Sequence, residues 1–171
     1  QLSGMIAQFS PDLLQDDVVK LAVSKLCYKV LEEGFFEHDR VHAAQHASQI
    51  AGMLNAIPSE ELETSPMKDA VEKICDKISA GTLLNASDPY VSQHVSQLSR
   101  MLSNFPFKQL MEKKNIVKKL CELVSKENFF QDRAHASQHA SQISGMLTRL
   151  PSDWMKKGLI NLLISELQQK I

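Results

Sequence analysis

The sequence predicts an all-α fold, an α-solenoid of stacked antiparallel helix pairs with a unit of about 45–48 residues. Three observations support this prediction: a segment recurs along the chain, two amphipathic stretches fill each period, and turn residues separate the stretches. The segment reads QHASQIAGML at 45–54, QHVSQLSRML at 93–102 and QHASQISGML at 138–147. The chain opens on QLSGMI, which aligns with the end of this segment, so equivalent glutamines fall at 1, 49, 97 and 142. A period of this length is typical of helical repeat arrays.

We expect residues 1–171 to form one repeat array that is part of a longer protein. Its predicted parts are the end of a truncated unit, three units, and the first helix of a next unit or a cap. They cover 1–11, 12–58, 59–106, 107–151 and 152–171. The core of such an array is a ribbon that continues from unit to unit.

The first helix of each unit, helix A, is predicted at 18–33, 67–79 and 115–126, and again at 154–169. Its second copy carries apolar residues at the spacing of one helix face, namely Ala70, Val71, Ile74, Cys75 and Ile78. Ser10-Pro11 and Ser65-Pro66 are typical of helix starts. The residues expected in the left-handed conformation at the helix ends are Gly34, Gly81 and Asn128.

An apolar pair follows each helix A and is predicted to fill the corner between the two helices. The pairs are Phe35-Phe36, Leu83-Leu84 and Phe129-Phe130.

The second helix, helix B, is predicted to begin near an acidic start signal and to end before a proline. The starts are Asp39, Ser87-Asp88-Pro89 and Asp132, and the prolines are Pro58, Pro106 and Pro151. One face of the first copy is aliphatic (Ala43, Ala47, Ile50, Leu54, Ile57), and the other is small (Ala44, Ser48, Ala51, Gly52). A helix with these two faces is expected to be packed on both sides.

The formal charge of −1 gives no overall attraction to nucleic acid or anionic lipid. The charge is distributed unevenly, because residues 1–85 carry 7 basic against 13 acidic residues and residues 86–171 carry 12 against 7. No apolar run approaches the roughly 18 residues that a membrane span needs. We therefore expect no membrane partner.

The cysteines Cys27, Cys75 and Cys121 lie at equivalent places in the repeat, each after an aliphatic residue. Equivalent places in stacked repeats are too far apart for a disulfide, whose Cα atoms approach within about 7 Å. They are predicted to be buried and reduced, which is consistent with a cytoplasmic location.

Three groups of residues are candidates for chemistry or binding. The histidine pairs His42/His46 and His135/His139 have a spacing that suits a metal, but no third ligand stands at helical spacing, so no metal site is predicted. We expect His46, His94 and His139 to lie at the edge of the core and to hydrogen-bond to the adjacent helix. Repeated glutamines form a candidate binding face: Gln45, Gln49, Gln93, Gln97, Gln138 and Gln142. They serve either a hydrogen-bond ladder between stacked units or a ligand groove. A candidate basic patch consists of Lys113, Lys114, Lys118 and Lys119.

Nothing in the sequence indicates catalysis. It contains no glycine-rich phosphate loop, no HExxH and no nucleophile elbow, and the cysteines lie on apolar stripes that disfavour a thiolate. No enzymatic activity, cofactor or small-molecule substrate is therefore expected.

The segments QHASQIAGMLNAIP and QHASQISGMLTRLP resemble the helix-ending part of octotricopeptide-type repeats. They also resemble the Ser-Lys-Trp-Pro-type repeats of large effectors from plant-pathogenic bacteria. Both families are α-helical solenoids. The first resemblance implies RNA binding, and the second implies an effector that is delivered into a host cell.

The predicted function is a non-catalytic binding module, foremost a protein-protein interaction scaffold within a larger multi-repeat protein. This prediction is based on the near-neutral charge, its uneven distribution and the low aromatic content of 6%. The alternative is a single-stranded RNA-binding domain, which the repeated polar residues and the basic second half favour. A third reading is a purely structural spacer or a self-association segment.

Overall fold

The computed structural model describes residues 2–104, 114–126, 129–130, 135–151, 153 and 158–169. All regular secondary structure within these ranges is helical, which confirms the predicted all-α class. The helices are α1 (Leu2–Ile6), α2 (Pro11–Leu14), α3 (Asp17–Leu31), α4 (Ala43–Leu54), α5 (Ser59–Leu62), α6 (Met67–Ser79), α7 (Val91–Asn104), α8 (Lys114–Val124), α9 (Ala136–Leu147) and α10 (Gly158–Gln168). None of the helices in the described ranges is long and apolar enough to cross a membrane.

The chain divides into two compact units, residues 1–83 and 84–171. The boundary lies within the apolar pair Leu83-Leu84, and both of its side chains are buried. Because no charged residue lies between 83 and 86, the uneven charge follows this division: the first unit carries a net −6 and the second a net +5.

In the first unit, α3 packs against α6, and α1 packs against α4. The carboxylate of Asp16 caps α3 by accepting hydrogen bonds from the backbone N–H groups of Val18 (2.8 Å) and Val19 (3.3 Å). At the other end, Lys73 Nζ of α6 donates to the carbonyl oxygens of Leu31 (3.1 Å) and Glu32 (2.8 Å). This lysine therefore satisfies acceptors that every helix leaves open at its C-terminus and ties the two helices together.

In the second unit, α7 packs against α9, and α8 packs against α10. Both units thus pair helices that occupy equivalent places in the repeated sequence. Helix A contacts helix A, and helix B contacts helix B.

The predicted helix A segments agree with the structure to within a few residues. The bounds of α6 match the predicted ones, whereas α3 and α8 each begin one residue earlier and end two residues earlier than predicted. Of the predicted fourth copy, the described part is helical from Gly158 to Gln168. Gly34 (φ +79°) and Gly81 (φ +69°) adopt the predicted left-handed conformation, and Asn128 lies outside the described residues.

The two serine-proline start signals act differently from the prediction. Ser10 caps the short helix α2 rather than α3, because Asp16 stands closer to the start of α3 and caps it instead. At the start of α6 the N-cap is Pro66, which has no side-chain cap. The Ser65 hydroxyl donates to the carboxylate of Asp69 (2.7 Å).

The predicted starts of helix B are wrong by three to four residues. The chain after α3 forms successive turns, and α4 begins at Ala43 rather than near Asp39. Within these turns Phe36 is buried and meets Phe35 edge to face at 5.0 Å between ring centroids. The predicted stops are displaced by a similar amount, since the helices end four residues before Pro58 and Pro151. Pro106 and Asp132 lie outside the described residues.

Helix α4 is buried on both of its predicted faces. Ala47 and Leu54 are buried on the aliphatic side, and Ala44, Ser48 and Ala51 are buried on the small side. This confirms that the first copy of helix B is packed on two sides.

The three cysteines are buried and none of them forms a disulfide, as predicted. Burial raises the pKa of the Cys27 and Cys121 thiols to about 12. Both groups are therefore protonated at neutral pH, and their thiols pack as small apolar side chains.

Candidate binding surface on the second helices

The six glutamines of the candidate binding face fall into two sets. The first glutamine of each segment is exposed: Gln45, Gln93 and Gln138. The second is half-buried: Gln49, Gln97 and Gln142. Residues four apart on a helix share a face but differ by about 40° around the axis, and that rotation takes the second glutamine toward the interior.

One member of the second set bridges two helices. The Ser96 hydroxyl on α7 donates a hydrogen bond to Gln142 Oε1 on α9. Ser96 is buried, so this bond satisfies two polar groups in the seam between the helices. At this position the repeated glutamine forms a hydrogen bond between neighbouring helices.

Each exposed glutamine is preceded, three residues earlier, by an exposed ring. We call the resulting combinations the ring–amide pairs: His42/Gln45, Tyr90/Gln93 and His135/Gln138. His42 (φ −107°, ψ 8°) and His135 (φ −113°, ψ 6°) are both N-cap residues with nearly the same backbone conformation. Because residues three apart lie side by side at a helix surface, each pair presents a ring and an amide together.

A carboxylate stands beside the first ring–amide pair. Asp39 accepts a hydrogen bond from His42 Nδ1 (3.0 Å) and another from His46 Nε2 (3.3 Å). These two bonds, that of His42 foremost, hold the pKa of the Asp39 carboxyl below its usual range. The carboxylate is thus ionised at neutral pH and gives this end of α4 a negative charge.

A carboxylate also lies near the second pair, beside a buried histidine. His94 Nε2 lies 3.5 Å from Asp88 Oδ2. Burial lowers the pKa of His94, and the nearby Asp88 charge opposes this shift only in part. His94 is therefore neutral at pH 7.

These contacts correct the sequence analysis. We expected the segment histidines to bond to an adjacent helix, but His46 and His94 instead face a carboxylate in the turn before their own helix. The sequence contains a pattern that indicates these histidine–carboxylate contacts, because an aspartate stands seven residues before His46, six before His94 and seven before His139. Within the described residues, no group of three or more histidine, cysteine or acidic side chains is arranged to hold a metal ion.

We expect the free energy of unfolding to fall as the pH drops below about 6.5, because His94 is held neutral in the folded chain. The pKa of His94 is lower in the folded chain than in the unfolded chain. At a pH between these two pKa values, the unfolded chain binds a proton that the folded chain does not. The contribution of His94 to the free energy of unfolding is complete at a pH above its pKa in the unfolded chain. This contribution is lost as the pH falls toward the pKa of His94 in the folded chain. NMR titration of the His94 ring should give a midpoint below 6.5, the usual value for histidine. A His94 midpoint at or above 6.5 would contradict the burial effect.

The candidate basic patch lies partly outside the described residues, which include neither Lys113 nor the side chain of Lys114. Lys118 Nζ is 3.9 Å and Lys119 Nζ is 4.0 Å from a carboxylate oxygen of Glu122. The glutamate therefore reduces the positive potential of the described part of the patch.

The described residues thus present three ring–amide pairs, two of them beside a carboxylate, and a hydrogen bond between α7 and α9. The sequence singled out the glutamines, the histidines and the aspartates separately, but it did not predict that they lie beside one another, and Tyr90 was not among its candidates. Comparisons of the chain with protein-family models, with curated protein sequences and with solved structures find no match.

Proposed function

We propose that the chain is a non-catalytic helical-repeat module that binds another protein through its ring–amide pairs. It serves as a scaffold within a larger multi-repeat protein, of the kind that bacterial effectors contain. The observation that carries this proposal is the recurrence of the same exposed pair at the start of α4, α7 and α9. The rings and amides of these pairs are exposed and therefore accessible to a partner.

The packing of like helices supports a solenoid of stacked helix pairs. Within the first unit α3 packs on α6, and within the second unit α7 packs on α9 and α8 on α10. Helices in contact lie about 8–10 Å apart. Within the second unit, such stacking presents the ring–amide pairs of α7 and α9 from the same end of helix B, at a spacing that an extended peptide can follow.

The charges beside the pairs favour a protein over RNA. Asp39 and Asp88 lie beside the first and second pairs, and a carboxylate repels the phosphate backbone that supplies most of the affinity for nucleic acid. Aromatic rings, in contrast, are enriched at protein interfaces, and an exposed amide can both donate to and accept from a peptide backbone.

A displayed library of random peptides provides the test. Peptides selected on the wild-type chain are measured by fluorescence anisotropy against a variant that carries Tyr90→Ala and Gln93→Ala. We expect the variant to bind at least about tenfold more weakly, as is common when a central aromatic contact is lost. The matched control is Glu60→Ala, another exposed position, and it should leave the affinity unchanged.

A single-stranded RNA pool tests the alternative. RNA binding that falls steeply with salt and disappears when Lys113, Lys114, Lys118 and Lys119 are changed to glutamate would overturn the proposal. No binding at low salt would remove the RNA alternative.

A further inference from the structure

The outward side of α3 carries an apolar stripe that nothing in the described residues covers. Val18, Leu21 and Tyr28 are 74%, 55% and 59% exposed. They occupy positions i, i+3 and i+10, which lie on one side of a helix. Helix α2 packs against α3, and its residue Leu13 is also half exposed. A run of exposed apolar side chains along one helix is typical of an interaction site, whereas single ones are common on any surface.

A comparison of α3 with α6 shows that folding does not require this stripe. VSKLCYKV at 23–30 aligns with VEKICDKI at 71–78, with a cysteine at the same place in each. Under this alignment Leu21 corresponds to Asp69, and Tyr28 corresponds to Asp76, which is exposed. The second copy of helix A therefore folds with carboxylates at two of the three stripe positions, whereas Val18 corresponds to Pro66.

Acidic side chains stand at both ends of the stripe. Asp12, Asp16 and Asp17 are exposed at the N-terminal end of α3, and Glu32 and Glu33 are exposed at its C-terminal end. Three lysines of α3 carry the opposite charge. Lys20 Nζ lies 3.4 Å from Glu61 Oε1, and Lys29 Nζ lies 2.5 Å from Glu32 Oε2. The third lysine, Lys25, stands between Leu21 and Tyr28 in the sequence. The first unit as a whole carries a net −6.

We propose that the outward side of α3 is the docking site of a basic amphipathic helix of another protein. The apolar side of that helix would lie on Val18, Leu21 and Tyr28, and its lysines or arginines would meet the carboxylates at the two ends. The 15 residues of α3 span roughly 22 Å, which matches about four turns of a partner helix. This site is on helix A and does not depend on the ring–amide pairs of helix B.

The test uses two synthetic peptides of about 15 residues, with leucines at i, i+3, i+4 and i+7 spacing. One carries lysine at its polar positions, and the other carries glutamate. We expect the full chain to bind the lysine peptide at least about tenfold more tightly than the glutamate peptide in fluorescence anisotropy, with an affinity that falls as salt is added.

A double variant, Leu21→Asp with Tyr28→Asp, tests the apolar contact, because it gives α3 the residues that α6 already carries. We expect at least about tenfold weaker binding with unchanged helix content. Since the added carboxylates attract a basic peptide, a loss of affinity reports the loss of apolar contact. Asp12→Asn with Glu33→Gln should also weaken binding, whereas Glu122→Gln, a charge change in the second unit, should not.

Equal affinity for both peptides, or an unchanged affinity of the double variant, would overturn the proposal. So would concentration-dependent dimers that disappear in the double variant, because they would assign the site to a second copy of the chain. The Tyr90→Ala and Gln93→Ala variant should keep its affinity for the lysine peptide. A failure of the proposed function is therefore distinguishable from a failure of this inference.

Discussion

Ile74→Ala is expected to lower the free energy of unfolding by about 2–5 kcal/mol. Ile74 lies in the middle of α6, is fully buried, and belongs to a helix that packs against α3, α4 and α5. The substitution removes apolar surface that folding takes out of water and leaves a cavity, because helices packed on several sides cannot move inward to fill it. Urea unfolding followed by far-UV circular dichroism measures the loss.

Leu21→Ala on α3 is the matched control for that experiment. Leu21 is an exposed residue of the other helix A in the same unit, and alanine favours helix at least as well as leucine does. We expect a change within about 0.5 kcal/mol. Equal losses in the two variants would mean that Ile74 is not in a rigid core.

Ser96→Leu is expected to destabilise the chain by about 1–3 kcal/mol. Ser96 is 1% exposed on α7 and donates to Gln142 on α9, so the two helices approach each other closely at this residue. A leucine there would require the helices to separate or its own side chain to leave a preferred rotamer. Differential scanning calorimetry measures the shift in the unfolding temperature.

Two further substitutions separate the lost hydrogen bond from the added volume. Ser96→Ala removes the bond without adding volume, and it should cost only about 0.5–1.5 kcal/mol. Gln93→Leu adds an apolar side chain to the exposed side of the same helix, and the stability should change little. If Ser96→Leu proved as mild as Ser96→Ala, the small residues of the repeated segment would not be needed for close packing.

Much of the fold was predictable from short-range patterns. The bounds of α6 follow from apolar residues that recur at helical spacing. The left-handed turns at Gly34 and Gly81 follow from the freedom of glycine at positive φ. The start of α4 could not be placed in this way, because the turns from residue 32 to 42 are fixed by where Phe36 must be buried.

The sequence by itself determined that the chain is helical, which residues recur, and that the cysteines and the small residues Ala44, Ser48 and Ala51 of the first segment are buried. These properties depend on hydrogen bonds and periodicity within a few turns of one helix. Only the tertiary structure decided that Gln45 is exposed while Gln142 bridges two helices, and that Asp39 and Asp88 stand beside the histidines. The physical reason is that the role of a helical side chain depends on which side of the helix its neighbours cover, and those neighbours are distant in sequence.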